Sequence, residues 1–436
     1  MSRFFVCTFG CRSNQADSAA VRAELCRAAM SEAASFQDAD LIVINSCTVT
    51  QRSDQQVRQA VRKLRRENPS ARIVVTGCYA ERDPQALAAI PGVDQVIGTA
   101  DKARLAAIVR ESSPEYRSRI IRSPLDDLRV LNLTAGAETG GKTRPLVKLQ
   151  DGCDAHCSYC IVPSVRGPGR SAAADEIWGE VRRLVGLGYQ EIVLTGVNLG
   201  AYGHDLAERT SLSGLLRRIF EIPRLGRIRL SSIEPMHFDR DIVGLAAGNG
   251  AFARHFHIPL QSGSDRVLRR MRRPYTAARF LDLLQFIAGQ LPGTGLGTDV
   301  MVGFPGETEE NFQATVNLVE KSPLSYLHVF PFSARPGTDA ARMTDTVPAP
   351  VIHERVSTLR ALSQAKNLAF RRRLAGESLP AITLAKEEQM GSSVVLTDNF
   401  IHAQVAGLRV PPNQLVTVRI LEVLATGTTA GLESGA

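Results

Sequence analysis

Residues 146–160 read Leu-Val-Lys-Leu-Gln-Asp-Gly-Cys-Asp-Ala-His-Cys-Ser-Tyr-Cys, a short strand-like run that leads into Cys153-x-x-x-Cys157-x-x-Cys160. Three thiolates within eight residues can hold three corners of a cubane [4Fe–4S] cluster. The fourth iron then has no protein ligand and is open to a substrate or cofactor, as the vacant position of a catalytic metal site is. The alternative is a three-thiolate zinc site completed by His156, although the spacing is unlike the usual CxxC zinc pairs. Downstream, strands are expected at about 191–195, 227–231, 256–260, 296–302 and 326–330, with 146–150 as the first of six. The first five each lead into a helical segment. Six βα-type units with no GxGxxG fingerprint favour a full or partial barrel, whose chemistry sits in the loops after its strands.

Those loops mix glycine with hydrogen-bonding side chains, which suits close approach of backbone to a small ligand. They are Leu194 to Asn198, Ser231 to Pro235, Pro259 to Ser264 and Asp299 to Thr308. The candidate cofactor contacts in them are Gly196, Asn198, Glu234, Gln261, Ser262, Asp299 and Gly303. Any turn shows Gly and Ser, and Glu307 equally suits the first turn of a helix.

Upstream, apolar runs at Phe4 to Phe9, Leu41 to Ile44, Ile73 to Val75 and Val96 to Ile97 alternate with helix-like stretches at about 15–30, 51–67, 84–90 and 102–110. That order predicts a parallel sheet with helices on both faces. Cys11, Cys47 and Cys78 each follow one of these strands, and the carboxyl ends of neighbouring parallel strands share one edge where ligands bind. The three thiols either converge there, with Gly10 and Gly77 allowing close approach of a bulky group, or are loop cysteines with no common role. Cys7, inside a strand, and Cys26, inside a helix, read as core packing.

The chain has 436 residues, 44% hydrophobic and 22% charged, too long for one ordinary core. No apolar run is long enough to span a bilayer, and the N-terminus moves straight into a strand pattern, so a cytoplasmic protein with no membrane partner is expected. A reducing compartment disfavours stable disulfides and leaves the eight cysteines as ligands or buried small hydrophobes. A linker is expected around 112–144 and a helix over 353–373. That helix carries Arg355, Arg360, Lys366, Arg371, Arg372 and Arg373, either as a solvated face or as a surface for a phosphate backbone. Arg266, Arg269, Arg270, Arg272 and Arg273 form a second basic group beside the fourth-strand loop. After Gly376, short strands at 380–384, 393–396, 401–405 and 415–420 suggest a small β-barrel. Three basic residues there (386, 409, 419) face six acids, so of the total charge of +8 the barrel holds −3 and the rest of the chain +11. Attraction for a polyanion therefore lies mainly outside the barrel.

Taken together, Thr8 to Asn14 (TFGCRSN), Asn45 to Thr48 (NSCT), Thr76 to Ala80 (TGCYA), Gln150 to Pro163 (QDGCDAHCSYCIVP), Leu260 to Met271 (LQSGSDRVLRRM), Val302 to Thr308 (VGFPGET) and His328 to Met343 (HVFPFSARPGTDAARM) resemble the methylthiotransferase family of radical S-adenosylmethionine enzymes. TFGCRSN and HVFPFSARPGT look most like its branch acting on N6-threonylcarbamoyladenosine beside the tRNA anticodon. Asp154 and His156 stand where the family usually has Asn and an aromatic residue. The acidic barrel is more typical of the branch that modifies a ribosomal protein.

The resemblance implies an N-terminal parallel-sheet α/β domain (1–125), a central partial (βα)6 radical-SAM barrel (140–372) and a small C-terminal all-β TRAM barrel (373–436). It implies two [4Fe–4S] clusters, one on Cys153, Cys157 and Cys160 and one on Cys11, Cys47 and Cys78, with S-adenosyl-L-methionine at the open iron of the first. Cleavage of that cofactor yields a 5′-deoxyadenosyl radical, and the second cluster carries the sulfur that is methylated and delivered to carbon 2 of the adenosine. tRNA, a reducing electron donor protein and a sulfur donor follow as partners, with a monomer as the expected state. Methylthiolation of a ribosomal-protein aspartate, or of isopentenyladenosine in tRNA, is the competing enzymatic reading. A non-catalytic iron–sulfur electron carrier or RNA-binding scaffold is the competing non-enzymatic one.

Overall fold

The computed structural model describes residues 2–111, 119–128, 131, 133, 143–385, 392–406 and 410–433. Most of the expected linker, 112–118 and 134–142, lies outside the described residues, as do Lys386, Glu387, Glu388 and Arg409. The chain divides into two compact units, one of residues 1–140, 148–173 and 333–341, the other of 141–147, 174–332 and 342–436.

In the first unit, Arg3–Thr8, Leu41–Ser46, Arg72–Gly77 and Gln95–Ile97 are parallel neighbours, as their apolar runs require. Two short strands, Ser31–Glu32 and Arg119–Ile121, extend the sheet to six at its two edges. The central strand Leu41–Ser46 is buried along its whole length. One face packs Ile42, Ile44, Ile73 and Val75 under the helix Gln51–Glu67, through Val57, Val61 and Leu64. The other packs Phe4, Val6, Val43 and Val74 under Arg12–Arg27 and Leu105–Glu111. Cys7 and Cys26 pack partly buried against these cores, one on each face. The strand Leu146–Asp151 pairs antiparallel with Arg170–Ser171 through Gln150 and Asp151, a hairpin-like return absent from the sequence reading.

In the second unit, Glu191–Gly196 and Arg227–Leu230 pair in parallel. Parallel bridges Ile228 to Phe252 and Ser232 to His257 carry the arc on to His255–His257, Gly295–Val302 and Tyr326–Pro331. The helix Ala349–Arg373 begins four residues earlier than expected, behind Pro348, and buries Val356, Leu359 and Phe370. Its basic residues are not one solvated row. Arg355 is buried and bonded to Glu307 and Glu309 (2.9 and 3.1 Å), and Lys366 donates to the carbonyls of Glu320 and Ser322. Arg371 donates to the carbonyls of Leu424 and Gly427, leaving Arg360, Arg372 and Arg373 exposed. In the second basic group, Arg273 is buried against Glu234 and Arg270 pairs with Asp345 (2.7 Å).

The C-terminal strands close a five-stranded barrel, in the order Ser378–Thr383, Ser392–Thr397, His402–Ala406, Thr428–Leu432, Leu415–Val423. Closure uses the fifth strand, Thr428–Leu432, which pairs in parallel with His402–Ala406. Phe370 of the long helix joins the barrel core. The turn Thr397–Phe400 docks on the parallel strands, where Arg229 donates to the carbonyls of Thr397 and Asp398 (3.0 Å each) and Arg254 pairs with Asp398 (2.6 Å). Arg229 also holds fully buried Glu191 at 2.8 Å, with Arg144 at 3.3 Å and Arg227 at 3.4 Å. Burial alone would raise the Glu191 carboxyl, but the three guanidiniums more than offset it and draw it down to about 2. A depressed carboxylate adds stability above its unfolded-state pKa and loses it as pH falls through the folded value. Acid unfolding followed by circular dichroism is therefore expected to steepen between about pH 4 and 2. Glu191→Gln should flatten that region while destabilising the protein at neutral pH, because it leaves buried arginines uncompensated.

Candidate functional site: two thiol triads in one unit

All six cysteines singled out in the sequence belong to the first unit. Cys11 caps the helix Arg12–Arg27, Cys47 follows Leu41–Ser46, and Cys78 opens the short helix Cys78–Arg82 directly after Arg72–Gly77. Their three strands are adjacent in the sheet, so the thiols share its carboxyl edge. One side chain lies beside two of them. Asn14 donates through Nδ2 to the carbonyls of Phe9 (2.8 Å) and Ser46 (3.0 Å), which turns its Oδ1 toward the thiols of Cys11 (3.9 Å) and Cys78 (3.8 Å). Gly10, at φ 101°, lies against Cys47: a Cβ there would fall 2.6 Å from the Cys47 Cβ and 2.8 Å from its Sγ. A side chain at position 10 would therefore fill the cradle between the thiols. Burial pushes the Cys47 thiol up to about 11, with Cys78 and Cys11 adding to the rise, so metal loading here must displace protons.

The second triad lies on the loop between Asp151 and the helix Val162–Arg166. Gly152 (φ 74°) is packed so that a Cβ would meet the Pro168 carbonyl oxygen at 1.9 Å, and His156 adopts φ 46°. The Cys153 N–H donates to the Gly167 carbonyl (3.2 Å) and that of Cys160 to Cys157 (3.0 Å), tying the loop into a compact turn. Among the described residues, neither triad gathers its ligand atoms within 4.8 Å of one another, and His156 joins no such group. Three thiols in each triad match in number the three-thiolate donor set of a [4Fe–4S] cubane. Both triads fit the group the chemistry calls for: three thiols each, shaped by glycine backbone.

A buried ionic network that sequence reasoning missed connects them. Arg166, 2% exposed, donates to Asn14 Oδ1 (2.5 Å), Asp17 Oδ2 (3.1 Å) and Asp151 Oδ1 (2.7 Å). Lys148 bonds both Asp17 and Asp151, and Lys102 bonds Asp17 at 2.8 Å. Burial would raise both carboxyls, but these cations hold them well below the usual carboxylate range. Arg166 thus grips the side chain beneath Cys11 and Cys78 with one nitrogen and the strand end that carries Cys153 with another. Cys78 also packs against Ile161 and Val165 of the helix that carries Arg166. The one sequence signal was Asn14-x-x-Asp17, two polar residues three apart on one helix face.

The other candidates lie in the second unit. Gly196 ends its strand, and Asn198 is buried with Oδ1 3.1 Å from His237 Nδ1. Glu234 pairs with Arg273, which bonds Tyr275 (3.0 Å). Gln261 holds φ 67° and is stitched to the next strand by N–H to the Asp299 carbonyl (2.8 Å) and by accepting from Met301 (2.9 Å). Ser262 and Gly303 are engaged within the loops: Ser262 Oγ accepts the Ser264 N–H, and the Gly303 N–H donates to Glu307 Oε2 at 2.7 Å. Glu307 is buried against Arg355 and precedes the cap Thr308, so it belongs to loop packing and not to the first turn of the helix. Asp299 Oδ1 meets His257 Nε2 (2.9 Å) and His328 Nδ1 (3.3 Å). Among the described residues, no helix is long and apolar enough to cross a membrane.

Residues 3–98 match the family described as Uncharacterized protein family UPF0004, and residues 147–319 match the Radical SAM superfamily. The chain is 38% identical to threonylcarbamoyladenosine tRNA methylthiotransferase MtaB of Bacillus subtilis (strain 168), over 95% of this chain and 93% of that one. It is 36% identical to tRNA-2-methylthio-N(6)-dimethylallyladenosine synthase of Corynebacterium urealyticum, over 82% of this chain and 68% of that one. Among solved structures, the radical S-adenosylmethionine methyltransferase TsrM of Kitasatospora setae, with cobalamin and a [4Fe-4S] cluster bound, superposes with a TM-score of 0.56 at 16% identity, covering 78% of this chain and 77% of that one. That likeness extends to the fold. The strand-end thiols, the CxxxCxxC loop and the near full-length identity converge: the chain belongs to the methylthiotransferase family of radical S-adenosylmethionine enzymes.

Proposed function

We infer that this enzyme adds a methylthio group to carbon 2 of N6-threonylcarbamoyladenosine beside the anticodon of tRNA. The observation that carries the reading is the presence of two thiol triads in one compact unit, joined through Asn14 and Arg166. Such a pair suits a reaction that must both activate a C–H bond and supply sulfur. An aromatic C–H has no useful acidity, so a histidine or glutamate acting as general base has nothing to remove. When bound, the two clusters and S-adenosyl-L-methionine supply the radical and the sulfur that this step needs.

In this reading Cys153, Cys157 and Cys160 hold the radical-generating cluster, and Cys11, Cys47 and Cys78 hold the auxiliary one. Gly196, Asn198, Glu234 and Gln261 offer main-chain and polar groups to S-adenosylmethionine, while Ser262 and Gly303 shape the loops around it. Asp299 serves by orienting the two imidazoles it touches. The functional division at 1–125, 140–372 and 373–436 goes with these roles. A reducing electron donor protein, a sulfur donor, a monomeric state and a cytoplasmic location complete the proposal.

Nucleoside analysis of tRNA by mass spectrometry, with and without this protein, is the test. The 2-methylthio form of N6-threonylcarbamoyladenosine should disappear from the deletion strain while N6-threonylcarbamoyladenosine accumulates. Loss of a methylthiolated isopentenyladenosine, or of a modified aspartate on a ribosomal protein, would assign the enzyme to another substrate.

A further inference from the structure

The strands His255–His257, Gly295–Val302 and Tyr326–Pro331 form one parallel sheet with two unlike faces. Leu327 and Val329 are buried, and the Leu327 N–H donates to Ser363 of the long helix (2.8 Å), so this parity faces the helix. Tyr326, His328 and Phe330 take the opposite face. There Asp299 stands directly across from His328 in register. Gly297 leaves room for the Tyr326 ring, since a Cβ would fall 2.1 Å from Tyr326 Cζ. The Tyr326 hydroxyl is thereby placed 2.8 Å from His255 Nε2 and 3.2 Å from His257 Nδ1. The resulting row, His255, Tyr326, His257, Asp299, His328, begins at a residue 1% exposed. It ends at an imidazole whose side chain is 54% exposed.

The end of that row is unlike the rest. Both nitrogens of His257 are engaged, whereas His328 meets Asp299 through Nδ1 on a side chain that is more than half exposed. Asp299 is held well below the usual carboxylate range: burial would raise it, but the hydrogen bonds from the two imidazoles prevail. Its carboxylate fixes the orientation of the His328 ring through Nδ1. Two residues on, Phe330 is 43% exposed, with its ring 6.3 Å from that of His328 and inclined at 70°. An exposed imidazole anchored by a carboxylate, beside an uncovered aromatic ring, matches a planar base bearing an anionic arm.

We propose that His328 and Phe330 are the specificity-determining subsite for the modified nucleoside, Phe330 stacking on the purine and His328 Nε2 bonding the carboxylate of the threonylcarbamoyl arm. The inference rests on the tRNA reading above and deepens it. Asp299 is then the positioning residue that aims His328.

The test measures equilibrium binding of full-length protein to an anticodon stem-loop RNA carrying either N6-threonylcarbamoyladenosine or adenosine, a readout independent of turnover. Wild type should prefer the threonylcarbamoyl RNA. His328→Phe should lose that preference by tenfold or more while binding the adenosine RNA as before, and His328→Gln should fall between. Phe330→Ala should weaken both RNAs alike. Undiminished preference in His328→Phe overturns the inference and leaves the tRNA reading standing; no preference in wild type overturns the tRNA reading itself. Stoichiometric zinc that is retained by wild type and lost in His328→Phe, with RNA discrimination unchanged, would assign His257, Asp299 and His328 to a metal ion and also overturn the inference.

Discussion

Cys157→Ala is expected to abolish 5′-deoxyadenosine formation from reduced, reconstituted protein and S-adenosylmethionine, and to lower iron from about eight to about four atoms per chain. Two thiolates cannot hold a cubane that three were placed to hold, and Cys157 is the buried member of its triad. Cys47→Ala should cost the same iron yet behave differently. It removes the auxiliary site, whose cradle abuts Gly10, and leaves the CxxxCxxC loop untouched. Some uncoupled cofactor cleavage should remain, with no methylthiolated product. Chromatography of deoxyadenosine alongside iron and sulfide analysis checks both variants. Equal cleavage in the two would contradict the division of roles.

The second large effect concerns Arg166. Arg166→Met keeps the bulk and removes the charge, leaving Asp17 and Asp151 buried with only Lys102 and Lys148, plus Arg170 at 3.7 Å from Asp151, to balance them. Breaking a buried ion network from one side costs about 3–5 kcal/mol. Thermal unfolding of the cluster-free chain should register that loss. Arg166→Lys should recover only part of it, because a single ammonium cannot reach Asn14, Asp17 and Asp151 together as the guanidinium fork does. If Arg166→Met unfolds at the wild-type temperature, the network is not holding the unit together.

The legible parts of the site share a cause. CxxxCxxC is local, so its chemistry survives without knowledge of the fold. Strand ends alone leave Cys11, Cys47 and Cys78 either convergent or unrelated, and the family resemblance joins them; the structure puts their three strands side by side. What sequence could not show is pairing at a distance. Asp17 and Arg166 are 149 residues apart, and nothing in either neighbourhood names the other. Arg355 illustrates the reverse: its basic run reads as a solvated face or a phosphate surface, yet the residue is buried and bonded to Glu307 and Glu309, because composition gives the sign of a charge and not its partner. Thr428–Leu432 carries little strand signal in sequence because Ala and Gly dilute its β-propensity, and its strand identity comes from closing the barrel.

The unit that carries both triads is assembled from three separated stretches, and its last piece includes Arg335, buried and bonded to Thr48 (2.9 Å) and Asp54 (2.5 Å). Asp54 precedes Arg335 by 281 residues. At ribosomal rates of about 5–20 residues per second, the nascent amino-terminal sheet waits roughly 15–60 s for that arginine to be synthesised. The unit is therefore complete as a fold only after about three-quarters of the polypeptide has been translated, and an amino-terminal fragment expressed alone lacks the arginine that Thr48 and Asp54 hold.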